Sequence, residues 1–106
     1  MSDPAVPGTT ASDGASDAIT RQVEIVNKKG LHARASAKFV QIAEKYDADI
    51  TVTRSGETVG GTSIMGLMML SAGPGTIVTI KATGREALDA INAVCTLVEE
   101  GFGEED

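Results

Sequence analysis

The sequence contains no tryptophan, one tyrosine and two phenylalanines in 106 residues. Aromatic faces on which nucleic-acid bases stack are therefore nearly missing. A basic stripe is missing as well. The formal charge of −6 belongs to the ends, since residues 1–19 hold three acids and no base and residues 99–106 hold five acids and no base. Between them nine bases face seven acids, too near balance for a surface that neutralises a phosphate backbone. No nucleic-acid partner is expected. A lone Cys95 cannot close an internal disulfide, and one cysteine with one histidine cannot build a zinc site. No metal or cofactor is expected. Neither an eighteen-residue apolar run nor a basic start with an apolar middle is present, so the chain reads as soluble, cytoplasmic and without a membrane role.

What is present fits one domain with a single modest core. Residues 1–18, rich in Ser, Thr, Gly, Pro, Ala and Asp, offer little to bury and read as a flexible extension. The folded domain is placed at 19–101 and an acidic tail at 102–106. Within Ile19–Val26, Val23 and Ile25 alternate with polar neighbours, which predicts a strand. Ala33, Ala35, Phe39, Val40, Ala43 and Tyr46 then follow helical spacing to about Lys45. Asp49–Arg54 and Glu57–Gly60 read as a hairpin across the Ser55-Gly56 turn. Ser63–Leu70 reads as a short helix between glycine-rich stretches, and Thr76–Ala82 as a strand. In the last helix Thr83 and Glu86 have capping-box spacing, Ala87, Leu88, Ile91, Val94, Cys95 and Val98 form the apolar stripe, and Gly101 is the stop. Cys95 on that stripe reads as a small buried hydrophobe. The order βαββαβα with helices gathered on one face predicts an α+β open-faced sandwich.

The single histidine stands where a loop becomes a helix, in Gly30-Leu31-His32-Ala33-Arg34-Ala35-Ser36. With His32 at the N-cap, the amides of Ala33, Arg34 and Ala35 have no intrahelical partner and form an anion-binding end. Imidazole is a nucleophile, and Arg34 supplies a planar charged fork for phosphoryl oxygens. The same residues are also compatible with a plain helix-terminus histidine. Farther on, Ile64-Met65-Gly66-Leu67-Met68-Met69-Leu70 is too apolar for a short helix to bury entirely, unless packing covers both of its sides. An outward part would make a contact patch, and methionine suits partners of differing shape. Ser63 ahead of it is placed to cap the helix, and a phosphoserine there would sit beside the patch.

Together these residues resemble the HPr family, the histidine phosphocarriers of the bacterial phosphotransferase system. The likeness runs from about residue 20 to 100 and rests on Gly30-Leu31-His32-Ala33-Arg34 and Thr62-Ser63-Ile64-Met65-Gly66-Leu67-Met68 at matching spacing. It implies a four-stranded antiparallel sheet with three helices on one face. It implies a carrier, not a turnover enzyme, that takes a phosphoryl group from phosphorylated enzyme I and passes it to an enzyme IIA domain. His32 would hold the group on Nδ1, with Arg34 and the Ala33–Ala35 amides as stabilisers. Ser63 matches the serine modified by a dedicated kinase/phosphorylase in many members, and Ile64, Met65 and Met68 match the contact patch. The chain is most similar to HPr and NPr proteins of alphaproteobacteria, where the carrier commonly serves a regulatory, nitrogen-related branch. Two departures stand out: Ala35 replaces the proline of many members, and Gln41, Glu44 and Gly66 replace lysines found in several sugar-system members. A monomer is expected, since a relay gains nothing by covering its docking face. An acylphosphatase-like hydrolase shares the α+β layout, but the histidine at the helix start and the methionine-rich segment disfavour it.

Overall fold

The structure, a computed structural model, describes residues 18–104. All of the predicted N-terminal extension except Ala18 lies outside the described residues. The elements are β1 (Ile19–Glu24), α1 (Ala33–Ala43), β2 (Asp49–Arg54), β3 (Glu57–Gly60), α2 (Ile64–Met69), β4 (Ile77–Thr83) and α3 (Ala87–Glu99), followed by a 3-10 turn at Gly101–Gly103. The strands form one antiparallel sheet in the order β1-β4-β2-β3. The three helices cover one face, as expected for an open-faced α+β sandwich.

Strand alternation explains the two faces. Val23 lies opposite Val78, Val52 opposite Ile80 and Ile50 opposite Ala82, and all six are buried. The intervening positions pair Thr20 with Lys81, Gln22 with Thr79 and Thr53 with Thr79 on the outer, polar face. Helix α1 meets the core through Ala35, Ser36, Phe39, Val40 and Ala43, and α3 through Ala87, Ala90, Ile91, Val94, Cys95 and Val98. Burial pushes the Cys95 thiol above its ordinary value. Ser55 and Gly56 both take left-handed backbone (φ 52° and 84°), which suits a two-residue hairpin between paired Arg54 and Glu57. Among the described residues no helix is long and apolar enough to cross a membrane.

Three local expectations change. Strand β1 stops at Glu24, although Ile25 continues the pattern, fully buried and exchanging backbone bonds with Thr76 (2.8 Å) and Gly75 (2.8 Å). The Thr83–Glu86 capping box does not form. Thr83 ends β4, Gly84 turns the chain at φ 112°, and Glu86 itself takes the N-cap position of α3. The Glu86 carboxylate instead accepts from the Asp47 amide at 2.6 Å, a donor in the α1–β2 connection invisible to local spacing. Leu88 sits at the edge of the α3 stripe and is 55% exposed, outside the core it was expected to join.

The packed body also continues past Gly101. Gly101, Phe102 and Gly103 are three consecutive left-handed residues (φ 67°, 60° and 72°). Glycine adopts this backbone freely, whereas a phenylalanine there is strained by about 1–2 kcal/mol. Phe102 is held because its ring is fully buried in the core (0% exposed). Residues 102–104 therefore pack with the domain, where an acidic tail from 102 onward was expected; residues 105 and 106 lie outside the described residues. Phe102→Ala should lower unfolding free energy in urea by about 3 kcal/mol. A change within about 0.5 kcal/mol, the range of ordinary surface substitutions, would show that the ring is not part of the core.

Candidate functional site

The loop before α1 is fastened at Asn27, Gly30 and Leu31. The Gly30 amide donates to the Asn27 carbonyl at 3.1 Å, and the Leu31 amide to the Ala72 carbonyl at 3.0 Å. Gly30 has φ +61°, and a Cβ there would lie 2.1 Å from the Ala72 carbonyl oxygen, so only glycine permits this approach. Asn27, 1% exposed, donates from Nδ2 to the Gly30 carbonyl at 2.9 Å. The chain thus leaves the loop with one entry angle and starts α1 at Ala33.

His32 occupies the N-cap position with extended backbone (φ −75°, ψ −178°) and makes no side-chain cap bond. Its carbonyl accepts from the Ser36 amide at 2.9 Å, and the Ser36 hydroxyl donates to the Leu31 carbonyl at 3.2 Å. Among the described residues the amides of Ala33, Arg34 and Ala35 have no acceptor, as the sequence predicts for a helix start. Ala33 and Arg34 are exposed while Ala35 is buried. The first two residues therefore lie at the open end of the helix, and Ala35 packs behind them.

The imidazole is partly open, with 27% of its side chain exposed. It lines an open cavity of about 600 Å³ with Lys29, Ala33, Arg34, Lys38, Gly103 and Glu104. Sequence reasoning singled out His32, Ala33 and Arg34 and missed Lys29, Lys38, Gly103 and Glu104. Lys38 follows Arg34 by one helical turn, a spacing that could have placed both on one face. Glu104 had only a weak signal, a phenylalanine flanked by glycines within an acidic stretch. The Lys38 ammonium donates to the Phe102 carbonyl at 2.7 Å, tying the C-terminal turn to α1. Glu104 Oε2 contacts His32 Nε2 in a hydrogen-bonded pair, and Glu104 Oε1 accepts from Asn27 Nδ2 at 3.0 Å. Burial works to raise the Glu104 carboxyl, but the bonds from His32 and Asn27 and the nearby charges of His32 and Lys38 prevail and hold it below its ordinary value.

A second, smaller groove joins His32 to α2, lined by Lys29, Leu31, His32, Met68, Ser71, Ala72 and Gly73. Leu67 and Leu70 anchor α2 in the core, and Ile64, Met65, Met68 and Met69 face outward, with Met65 69% exposed. Of the two packing alternatives for this helix, the half-exposed one holds. Ser63 is its N-cap, the hydroxyl accepting from the Gly66 amide at 2.9 Å. A Cβ at Gly66 would lie 2.9 Å from the Ser63 hydroxyl oxygen and 3.0 Å from Val59 Cβ, so a lysine here would have to displace the cap.

An open surface with one nucleophilic ring, cations around it and an apolar shelf beside it suits a group that is received from one macromolecule and surrendered to another. The fold and site define the class as phosphoryl carriers. Residues 19–100 match the family described as the PTS HPr component phosphorylation site. The phosphocarrier protein HPr of Neisseria meningitidis serogroup A is 43% identical over 86 residues, covering 81% of this chain and 97% of that protein. The phosphocarrier protein NPr of Shewanella violacea is 41% identical over 86 residues, covering 81% and 94%. The crystal structure of HPr-C-His from Thermoanaerobacter tengcongensis superposes with a TM-score of 0.79 at 42% identity, covering 83% of this chain and 99% of that one. The chain belongs to the HPr family and is a phosphocarrier of the phosphotransferase system, not an enzyme with turnover of its own.

The lowered Glu104 carboxyl has a consequence for stability. Its ionised form is favoured in the folded state, so its contribution is complete above the ordinary value of 4.5 and disappears as pH falls through the lower folded value. Glu104→Gln removes that titration, and its stability should fall less steeply than the parent's on acidification. Parallel acid limbs in urea unfolding measured across that range would contradict the pairing.

Proposed function

We propose that His32 is the phosphoryl acceptor. Phosphorylated enzyme I donates the group to Nδ1, and an enzyme IIA domain receives it, in a cytoplasmic, regulatory and nitrogen-type branch. The chain acts as a monomer. The observation that carries this reading is the part-exposed imidazole at the N-cap of α1, beside free amides and Arg34.

The chemistry follows from the surroundings. The Nδ1 lone pair attacks phosphorus, and the donor's bond to phosphorus breaks with its electron pair remaining on the donor. The negative oxygens meet the Ala33 and Arg34 amides and the Arg34 guanidinium, with Ala35 adding a donor that proline would remove. Arg34 outweighs the helix end in this scheme. A hydrogen bond involving a charged group contributes about 1.5–3 kcal/mol, against about 0.3–1 kcal/mol for an anion at an exposed helix N-terminus. Ile64, Met65 and Met68 provide the shelf on which both partners dock in turn, so donor and acceptor compete for one face. Phosphorylation of Ser63 by a kinase/phosphorylase would replace the cap hydroxyl by a dianionic group beside that shelf and weaken docking of enzyme I.

Reconstitution with enzyme I and phosphoenolpyruvate tests the proposal. The parent chain should acquire one acid-labile phosphate, and His32→Ala should acquire none; equal labelling of both would refute the assignment. Arg34→Ala should slow acceptance about tenfold or more. Ser63→Glu should also slow it, and an unaltered rate would remove the regulatory role. Sugar-type and nitrogen-type acceptors offered side by side should drain the nitrogen-type faster, and the opposite preference would reassign the branch.

A further inference from the structure

The contact between His32 and Glu104 joins residues 72 positions apart, and nothing in the transfer chemistry above uses it. We propose that Glu104 is a positioning residue for His32, taking the hydrogen on Nε2 so that the nucleophilic lone pair lies on Nδ1. This rests on the reading of His32 as the phosphoryl acceptor and adds to it the group that selects the nitrogen.

Both carboxylate oxygens are committed. Oε2 meets His32 Nε2 and Oε1 accepts from Asn27 Nδ2, while Nδ1 has no partner among the described residues. A carboxylate only accepts, so the contact is favourable when Nε2 carries hydrogen, which leaves Nδ1 unprotonated in the neutral ring. Asn27 in turn is oriented by two acceptors, Glu104 Oε1 and the Gly30 carbonyl, and its own buried Oδ1 is left without a hydrogen bond. The opposite amide orientation would satisfy neither acceptor. Holding Glu104 at the ring therefore takes precedence over satisfying a buried oxygen, a local stability cost of the kind found at functional positions.

The C-terminal turn delivers the carboxylate. Three left-handed residues reverse the chain after α3, the buried Phe102 ring pins the reversal, and Lys38 clamps the Phe102 carbonyl to α1. The sign of the charge is right for the transfer. When Nδ1 bonds phosphorus, the donor keeps its electron pair, Nε2 keeps its hydrogen and the ring acquires a positive charge facing Glu104. Onward transfer reverses each change. Lys29, Arg34 and Lys38 line the same cavity and offset the carboxylate's repulsion of the arriving anion.

Two readouts on the full chain decide the matter. Long-range proton–nitrogen spectra of the His32 ring at neutral pH should show the Nε2–H tautomer in the parent and in Glu104→Gln, whose amide oxygen still accepts. Glu104→Ala should show a mixture of tautomers. Acceptance from enzyme I and phosphoenolpyruvate should slow about fivefold in Glu104→Ala, the value of a surface ion pair. Unchanged signals from the Phe102 ring would establish that the turn is intact in each variant. The same tautomer in parent and Glu104→Ala would overturn the proposal, whatever the labelling result. A parent chain that takes no phosphate would refute the acceptor reading instead, and the spectra would still decide what Glu104 does.

Discussion

A backbone approach that admits no side chain holds this surface together: Gly30 against the carbonyl of Ala72. It docks the loop before α1 onto the connection between α2 and β4, and the Leu31 amide and the Ile25 exchange with Gly75 and Thr76 secure it on either side. Two segments more than thirty residues apart in sequence become one face. His32 ends beside Met68 because of that docking, and the ring and the methionine shelf share a groove. The proposed relay uses this adjacency, in which a partner resting on the shelf would bring its reactive group to the imidazole.

Electrostatics at the site run against the chain as a whole. The protein carries −6 formally, yet the cavity around His32 is lined by Lys29, Arg34 and Lys38 with Glu104 as the carboxylate. An arriving phosphoryl group brings about −1.5 to −2 charge at neutral pH. The three cations more than offset Glu104 in sign, and the free amides add directional donors. Long-range steering by a net negative protein does not favour an anionic partner surface, so in the proposed relay encounter would rely on this local patch and on apolar contact. The absence of lysines at Gln41, Glu44 and Gly66 reinforces that dependence. At Gly66 the space is already committed to the Ser63 cap and Val59.

Much of this was legible in the sequence because the signals are local. Apolar period two marked β2 and β4, period 3.6 marked α1 and α3, and Gly30 before His32 marked the loop-to-helix junction. Arg34 was legible for the same reason, being two residues from His32. What escaped was decided at long range. Thr83 and Glu86 had the right spacing for a cap, but a donor on Asp47 captured Glu86. Leu88 kept helical spacing and still faced solvent, because spacing does not say where a partner surface ends. Glu104 was the largest loss. Net charge assigned it to a tail, whereas one buried ring two residues earlier folds it back onto the histidine. The exposure of α2 was half legible: its composition left open whether part of it faced outward or packing covered both sides, and the structure shows that Leu67 and Leu70 face in while Ile64, Met65, Met68 and Met69 face out.

The most direct measurement is nitrogen–phosphorus coupling in the ring-labelled chain after phosphorylation by enzyme I and phosphoenolpyruvate. A single phosphoramidate signal coupled to Nδ1 of His32, with Nε2 still protonated, is the expected result. Phosphorus coupled to Nε2, or carried on any other residue, would contradict it.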